Sequence, residues 1–216
     1  MTIVDAAKWY YDQPDGRGWP HAEAVLAAAR RLKAGPLAPE EALAVTLHDI
    51  GVGRPGWERD RHPAAALEAL ERDDRLDPVR RYMKRRIGKA GRRVVEDAIL
   101  FHMRKSYNVV GIVSPVHKLL IEADEGAPVW GETRIEKPVK YWLSGRGLPL
   151  DTPIGDVIAH VLGRLRRKAE DYRRGDPPFT ARYRAVFRHE IDRAITWAES
   201  VTAKDVMRVI TRLRGE

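Results

Sequence analysis

Apolar residues recur every three or four positions through most of this 216-residue chain, and Gly or Pro marks the breaks between the runs. That spacing lines one face of a helix and leaves little of the strict alternation a half-buried strand needs. An all-α fold is therefore expected. Helices are read at about 3–11, 20–33, 40–49, from 62 through HPAAALEALER, 78–87, 94–103 and 115–125, then at 154–173, 181–199 and 203–214. Pro20 and Pro63 suit first helical turns, where the missing N–H would have no partner. The run Ala42-Leu43-Ala44-Val45-Leu47 is apolar nearly all round, which places its helix at the centre.

From 126 to 151 repeated Gly and Pro interrupt the pattern, so a long loop or linker is expected over 127–151, with one strand around 140–143. It would separate a main domain, residues 1–126, from a C-terminal helical extension, residues 152–216, packed on that domain. The length supports one substantial core with a smaller addition. No apolar run approaches the roughly 20 residues that cross a bilayer, and the first residues carry acids and tyrosines instead of a basic start. No membrane partner and a cytoplasmic location are expected. A single Asn (Asn108) and a single Gln (Gln13), beside abundant Arg and Glu, fit a thermophilic source.

There is no cysteine, so any metal must be held by imidazole and carboxylate, and thiolate zinc sites are excluded. Candidates for that role are spaced around the pair His48-Asp49 in LAVTLHDIGVG. His21 lies 27 residues before His48, His62 14 after it, His102 a further 40 on, and Asp124 22 beyond that. The net charge of +8, from 39 basic and 31 acidic residues, calls for an acidic partner such as a phosphorylated molecule. The basic clusters are dispersed along helices instead of forming one tail, so nucleic acid is the less favoured partner.

The ordered series His21, His48-Asp49 and Asp124 resembles the H…HD…D signature of the HD superfamily of metal-dependent phosphohydrolases. LHDIG, the later His62-Pro63, the IxxH segment ending at His102 and the EAD segment ending at Asp124 strengthen the resemblance, which covers about residues 18–126. It implies an HD-domain helical bundle, with His21, His48, Asp49 and Asp124 around a first metal. It further implies that His62 and His102 serve a second metal bridged by Asp49. Asp49, His62 and His102 would then be the catalytic residues. One or two divalent transition-metal ions are expected, among Mn, Fe, Co, Ni and Zn. Val52 in place of a Lys after HDIG, Met103 after His102, and the absence of a GYP signature argue against the cyclic-dinucleotide branch.

Arg54 lies in the loop after HDIG, and Arg104 and Lys105 follow His102, so these three are candidate phosphate contacts. His117 shares a helical face with Asp124 and is read as substrate-facing or as a support to the ligands. His160 and His189 have no partners at ligand spacing and are read as structural. The expected function is hydrolysis of a phosphate ester or anhydride, in a nucleotide or other phosphorylated small molecule, by metal-activated water. Coordination lowers the pKa of water from about 16 to about 7. Two other classes fit the same residues: an HD-fold di-iron oxygenase, and a non-catalytic nucleotide or nucleic-acid-binding module.

Overall fold

The computed structural model describes residues 3–13, 18–52, 54, 57, 59–125, 131–145, 147–174 and 180–215, and the side chains at 59, 104, 105, 107, 125 and 133 are outside that description. The described residues form thirteen α-helices and two short 3-10 turns, with no strand. The fold is all-α, and none of the described helices is long and apolar enough to cross a membrane. The chain divides into two compact units, Met1–Ala127 and Pro128–Glu216.

The first unit contains α1 (Ile3–Tyr11), α2 (Trp19–Lys33), α3 (Pro39–Leu47), α4 (His62–Arg72), α5 (Asp77–Arg86), α6 (Gly88–Phe101), α7 (Arg104–Val110) and α8 (Pro115–Glu125). Proline stands in the first turn of α2, α3, α4 and α5, where a preset φ favours the helix and no hydrogen bond is lost. Before α3, Glu41 reaches back to accept the Ala38 N–H at 2.8 Å and also takes a 2.6 Å bond from Lys33. That double anchor fixes the turn between α2 and α3.

Helices α2, α3, α6 and α8 pack on one another, with Val25, Ala29 and Leu32, Leu43, Ala44 and Leu47, Val95 and Ile99, and Leu120 and Ile121 buried between them. As its all-round apolar sequence requires, α3 is the central member, buried over Leu43–Leu47. A helix that is closed in on all sides ends inside the molecule. The residues after its last turn are therefore presented to the interior, and here they are His48 and Asp49, both buried.

In the second unit, α9 (Thr133–Leu143), α10 (Ile154–Arg174), α12 (Arg188–Ser200) and α13 (Ala203–Arg214) surround a core of Val139, Trp142, Val157, Val161, Val206 and Ile210. The short α11 (Ala181–Val186) precedes α12. The expected linker over 127–151 is corrected here, because α9 occupies its middle and supplies Ile135, Val139 and Trp142 to that core. The strand expected at 140–143 is the last turn of the same helix. Pro138 lies inside α9, where it removes its own N–H bond and crowds the carbonyl one turn before it. The three- and four-residue spacing of the apolar groups outweighs that loss. The single helix expected over 181–199 is two, broken at Phe187, whose ring is buried and whose φ is −110°. Helix α7, which the periodicity did not announce, follows His102 directly.

Candidate metal centre

Five helices deliver the predicted ligands to one place. His21 sits in the first turn of α2, His48 caps the C-terminus of α3 and Asp49 follows it, His62 opens α4, His102 caps the C-terminus of α6, and Asp124 lies in the last turn of α8. Their donor atoms fall into two groups: His21, His48, Asp49 and Asp124, and Asp49, His62 and His102, each within 4.8 Å internally.

Asp49 belongs to both groups through different oxygens. Its Oδ2 lies 3.2 Å from His21 Nε2 and 3.5 Å from His48 Nε2. Its Oδ1 lies 2.9 Å from His62 Nε2 and 3.7 Å from His102 Nε2. Asp124 Oδ1 completes the first group at 3.2 Å from His21 and 3.6 Å from His48. Two ligands about 2.1 Å from a shared ion, at angles between octahedral and tetrahedral, stand about 3.0–3.4 Å apart. The observed separations are those of donors facing a common centre.

Backbone carbonyls decide which nitrogen of the two capping histidines is available. His48 Nδ1–H donates to Val45 O at 2.8 Å, and His102 Nδ1–H donates to Ile99 O at 2.6 Å. A carbonyl only accepts, so in the neutral ring the proton is on Nδ1 and Nε2 offers a lone pair. Those Nε2 lone pairs face carboxylate oxygens, and His102 Nε2 also faces His62 Nε2 at 3.1 Å. A lone pair aimed at a carboxylate oxygen in a buried space is repulsive without a cation between them, whereas the His62–His102 contact is a hydrogen bond when His62 Nε2 carries the proton. Although carboxylates lie close to the Nε2 atoms of His21 and His48, they are off the line of a hydrogen bond, and both nitrogens are buried. These residues fit a metal ion.

Electrostatics keep the carboxylates charged. Burial works to raise the Asp124 carboxyl, but the neighbouring His21 and His48 outweigh it and hold it well below the usual carboxylate range. Burial likewise opposes protonation of His21, and the carboxylates of Asp124 and Asp49 reverse that and raise its pKa. Only these two ligands are partly open, with side chains 23% and 18% exposed, whereas His48 and Asp49 are fully enclosed. Solvent therefore meets the cluster on the His21–Asp124 side.

Two further residues shape the site beyond the six ligands. Tyr11, buried in α1, places its hydroxyl 3.4 Å from His48 Nδ1 and its ring edge-on to Trp19. Gly51 is packed so tightly on α4 that a Cβ there would lie 2.0 Å from the His62 carbonyl oxygen and 2.5 Å from Ala66 N. Gly51 is the Gly of LHDIG, whereas Tyr11 lies outside the motif segments.

The predicted phosphate contacts divide differently. His117 is fully buried; its Nε2–H donates to Phe101 O at 3.0 Å and its Nδ1 accepts the Val113 N–H at 3.2 Å. Both nitrogens thus bond backbone groups, at the end of α6 and just before α8, which leaves the two roles read for His117, substrate-facing or a support to the ligands, as expectations. Arg54 donates to the Ala65 carbonyl of α4 at 2.9 Å, and the charges it acts on include Tyr10 and Asp73, at the opposite end of α4 from His62. The side chains of Arg104 and Lys105 lie outside the described residues. His160 belongs to the second unit, where burial and the charges of Arg164 and Arg167 lower its pKa.

Burial also lowers the pKa of His117, so the fold favours its neutral form. The unfolded chain binds the proton near the ordinary value of about 6.5. The stability that His117 contributes is thus full above that value and lost as pH falls below it. Denaturant titrations at pH 7.5 and 5.0 should show a larger acid loss for the wild type than for His117→Gln. Equal losses would mean that His117 takes up its proton without disturbing the fold.

Compared with known proteins, the chain matches no family model, no curated protein and no solved structure. Its function is therefore read from this cluster of buried histidines and aspartates, which can hold a metal ion.

Proposed function

We propose that this chain is a metal-dependent phosphohydrolase of the HD type, acting on a phosphate ester or anhydride of a nucleotide or similar phosphorylated molecule. The observation that carries the reading is the division of Asp49, one oxygen to each of two ligand groups set in the chain order H…HD…D. His21, His48, Asp49 and Asp124 would hold one ion, and Asp49, His62 and His102 the other. A pair of divalent ions, when bound, supplies a water of lowered pKa and positive charge against the phosphoryl oxygens.

The chain's own residues do the rest. Asp49 fixes the two ligand groups in register, and the carbonyls of Val45 and Ile99 hold two imidazoles in one tautomer. The partly open His21–Asp124 side is where a substrate approaches, and the enclosed His48, Asp49, His62 and His102 keep bulk water from the other side. A net charge of +8 favours an anionic substrate.

Elemental analysis of the purified protein, with phosphate release from a panel of nucleotides and phosphate esters after reconstitution with each metal, tests this reading. About two ions per chain and chelator-sensitive phosphate release are expected. Protein that binds no metal overturns it, as does oxygen uptake by the iron-loaded protein without phosphate release on any compound.

A further inference from the structure

Between Asp77 and Glu96 the sequence has eight Lys or Arg residues and no acid. The segment forms α5, a turn at Ile87, and the first half of α6. Three of its arginines have structural partners. Arg80 donates to the carbonyls of Leu70 and Asp73 and pairs with Asp77, Arg92 pairs with Glu96 at 2.6 Å, and Arg93 lies 4.0 Å from Asp97. The other five, Arg81, Lys84, Arg85, Arg86 and Lys89, are exposed and have no acidic partner among the described residues.

The needs of the fold do not account for this charge. Cations in the last turn of α5 suit its dipole, which covers Lys84, Arg85 and Arg86. Lys89 lies in the first turn of α6, where the dipole favours an acid, and no acid is present in that turn. Arg81 and Arg85 stand four residues apart on one helix, a like-charge spacing that weakens it. Lys89 and the Arg81–Arg85 pair thus work against their own helices, and an external polyanion would relieve the crowding of all five cations.

We propose that the α5–α6 elbow is a nucleic-acid-binding surface, on which Arg81, Lys84, Arg85, Arg86 and Lys89 contact the phosphodiester backbone. Tyr82 lines a surface depression with Arg85 and Arg86, so an aromatic ring lies among the guanidinium groups. That mixture suits single strands, whose backbones follow basic grooves while their bases stack on aromatic faces. The exposed side of α5 consists of Arg81, Lys84, Arg85 and Arg86 with no exposed apolar side chain, so it lacks the apolar face with which an interfacial helix inserts into a membrane. The proposal does not depend on hydrolysis at the metal centre.

The test is fluorescence anisotropy of the full chain with a labelled 30-nucleotide oligothymidylate, titrated across KCl concentrations. Five phosphate contacts predict a slope of log affinity against log salt of about −3.5, at roughly 0.7 per contact for single strands. The triple variant Lys84→Gln, Arg85→Gln, Arg86→Gln should bind about 10-fold or more weakly, with a slope shallower by about 2. Removing three charges from α10 instead, by Arg164→Gln, Arg166→Gln and Arg167→Gln, should leave binding unchanged. Should the α5 triple variant fold poorly by circular dichroism, Arg81→Gln and Lys89→Gln singly should each reduce the slope by about 0.7. Asp49→Asn should bind the oligonucleotide as the wild type does, which separates this surface from the metal centre. The proposal is overturned by absence of salt-dependent binding, by equal weakening in the α10 variant, or by binding to phosphatidylserine vesicles and not to the oligonucleotide.

Discussion

Replacing Asp49 with Ala should strip both metal ions at once, whereas removing either flanking histidine should strip one. Asp49 gives Oδ2 to the group containing His21 and His48 and Oδ1 to the group containing His62 and His102. In its absence each group loses an anionic donor and the charge that balances a divalent cation. His62→Ala should reduce the metal content from about two ions per chain to about one, and His21→Ala should do the same from the other side. Catalytic groups that act as a unit lose on the order of 10⁴-fold or more when one is removed. A comparable fall in phosphate release is expected for Asp49→Ala, measured beside elemental analysis of the same samples. Two ions retained in Asp49→Ala would contradict the bridging role.

Gly51→Ala should be the most damaging substitution of a single methyl group. A Cβ at position 51 would meet the His62 carbonyl oxygen at 2.0 Å and Ala66 N at 2.5 Å, both backbone atoms that no rotamer change can move. Either the turn after His48-Asp49 or the first turn of α4 must retreat. Overpacking of this kind costs about 1–3 kcal/mol, and in a unit of this size that lowers the melting temperature by roughly 5–10 °C. The retreat also carries His62 away from Asp49, so the second ion should be lost before the first. Calorimetry with metal analysis would show the two effects together. A variant with wild-type melting and two ions would mean that the close approach relaxes without consequence.

Much of the fold can be read in the chain because helical spacing survives in a single sequence. Helices α1, α8 and α13 stand where the apolar pattern puts them, and α3 is central because its apolar residues leave no polar face. The pattern fails where one residue was given too much weight. Pro138 and the flanking glycines read as a linker, yet Ile135, Val139 and Trp142 hold α9 in a core. Phe187 reads as a helical position within a long helix, yet its ring is buried at a break. For the site, residue types and order were legible and atomic partners were not. Nothing in one-dimensional spacing tells that both nitrogens of His117 are occupied, or that Arg54 is drawn to the Ala65 carbonyl.

The ends of the helices set a field at the metal centre that no charged side chain supplies. Helices α3, α6 and α8 bring their C-termini to it, through His48, His102 and Asp124. Each such end bears about half a negative charge from its unpaired carbonyls. Helices α2 and α4 bring N-termini, through His21 and His62, each with about half a positive charge. The cluster is thus polarised by backbone alone. Three negative poles favour a cation at the cluster, and of the two positive poles the α2 end carries the partly exposed His21, so that side would favour an anion.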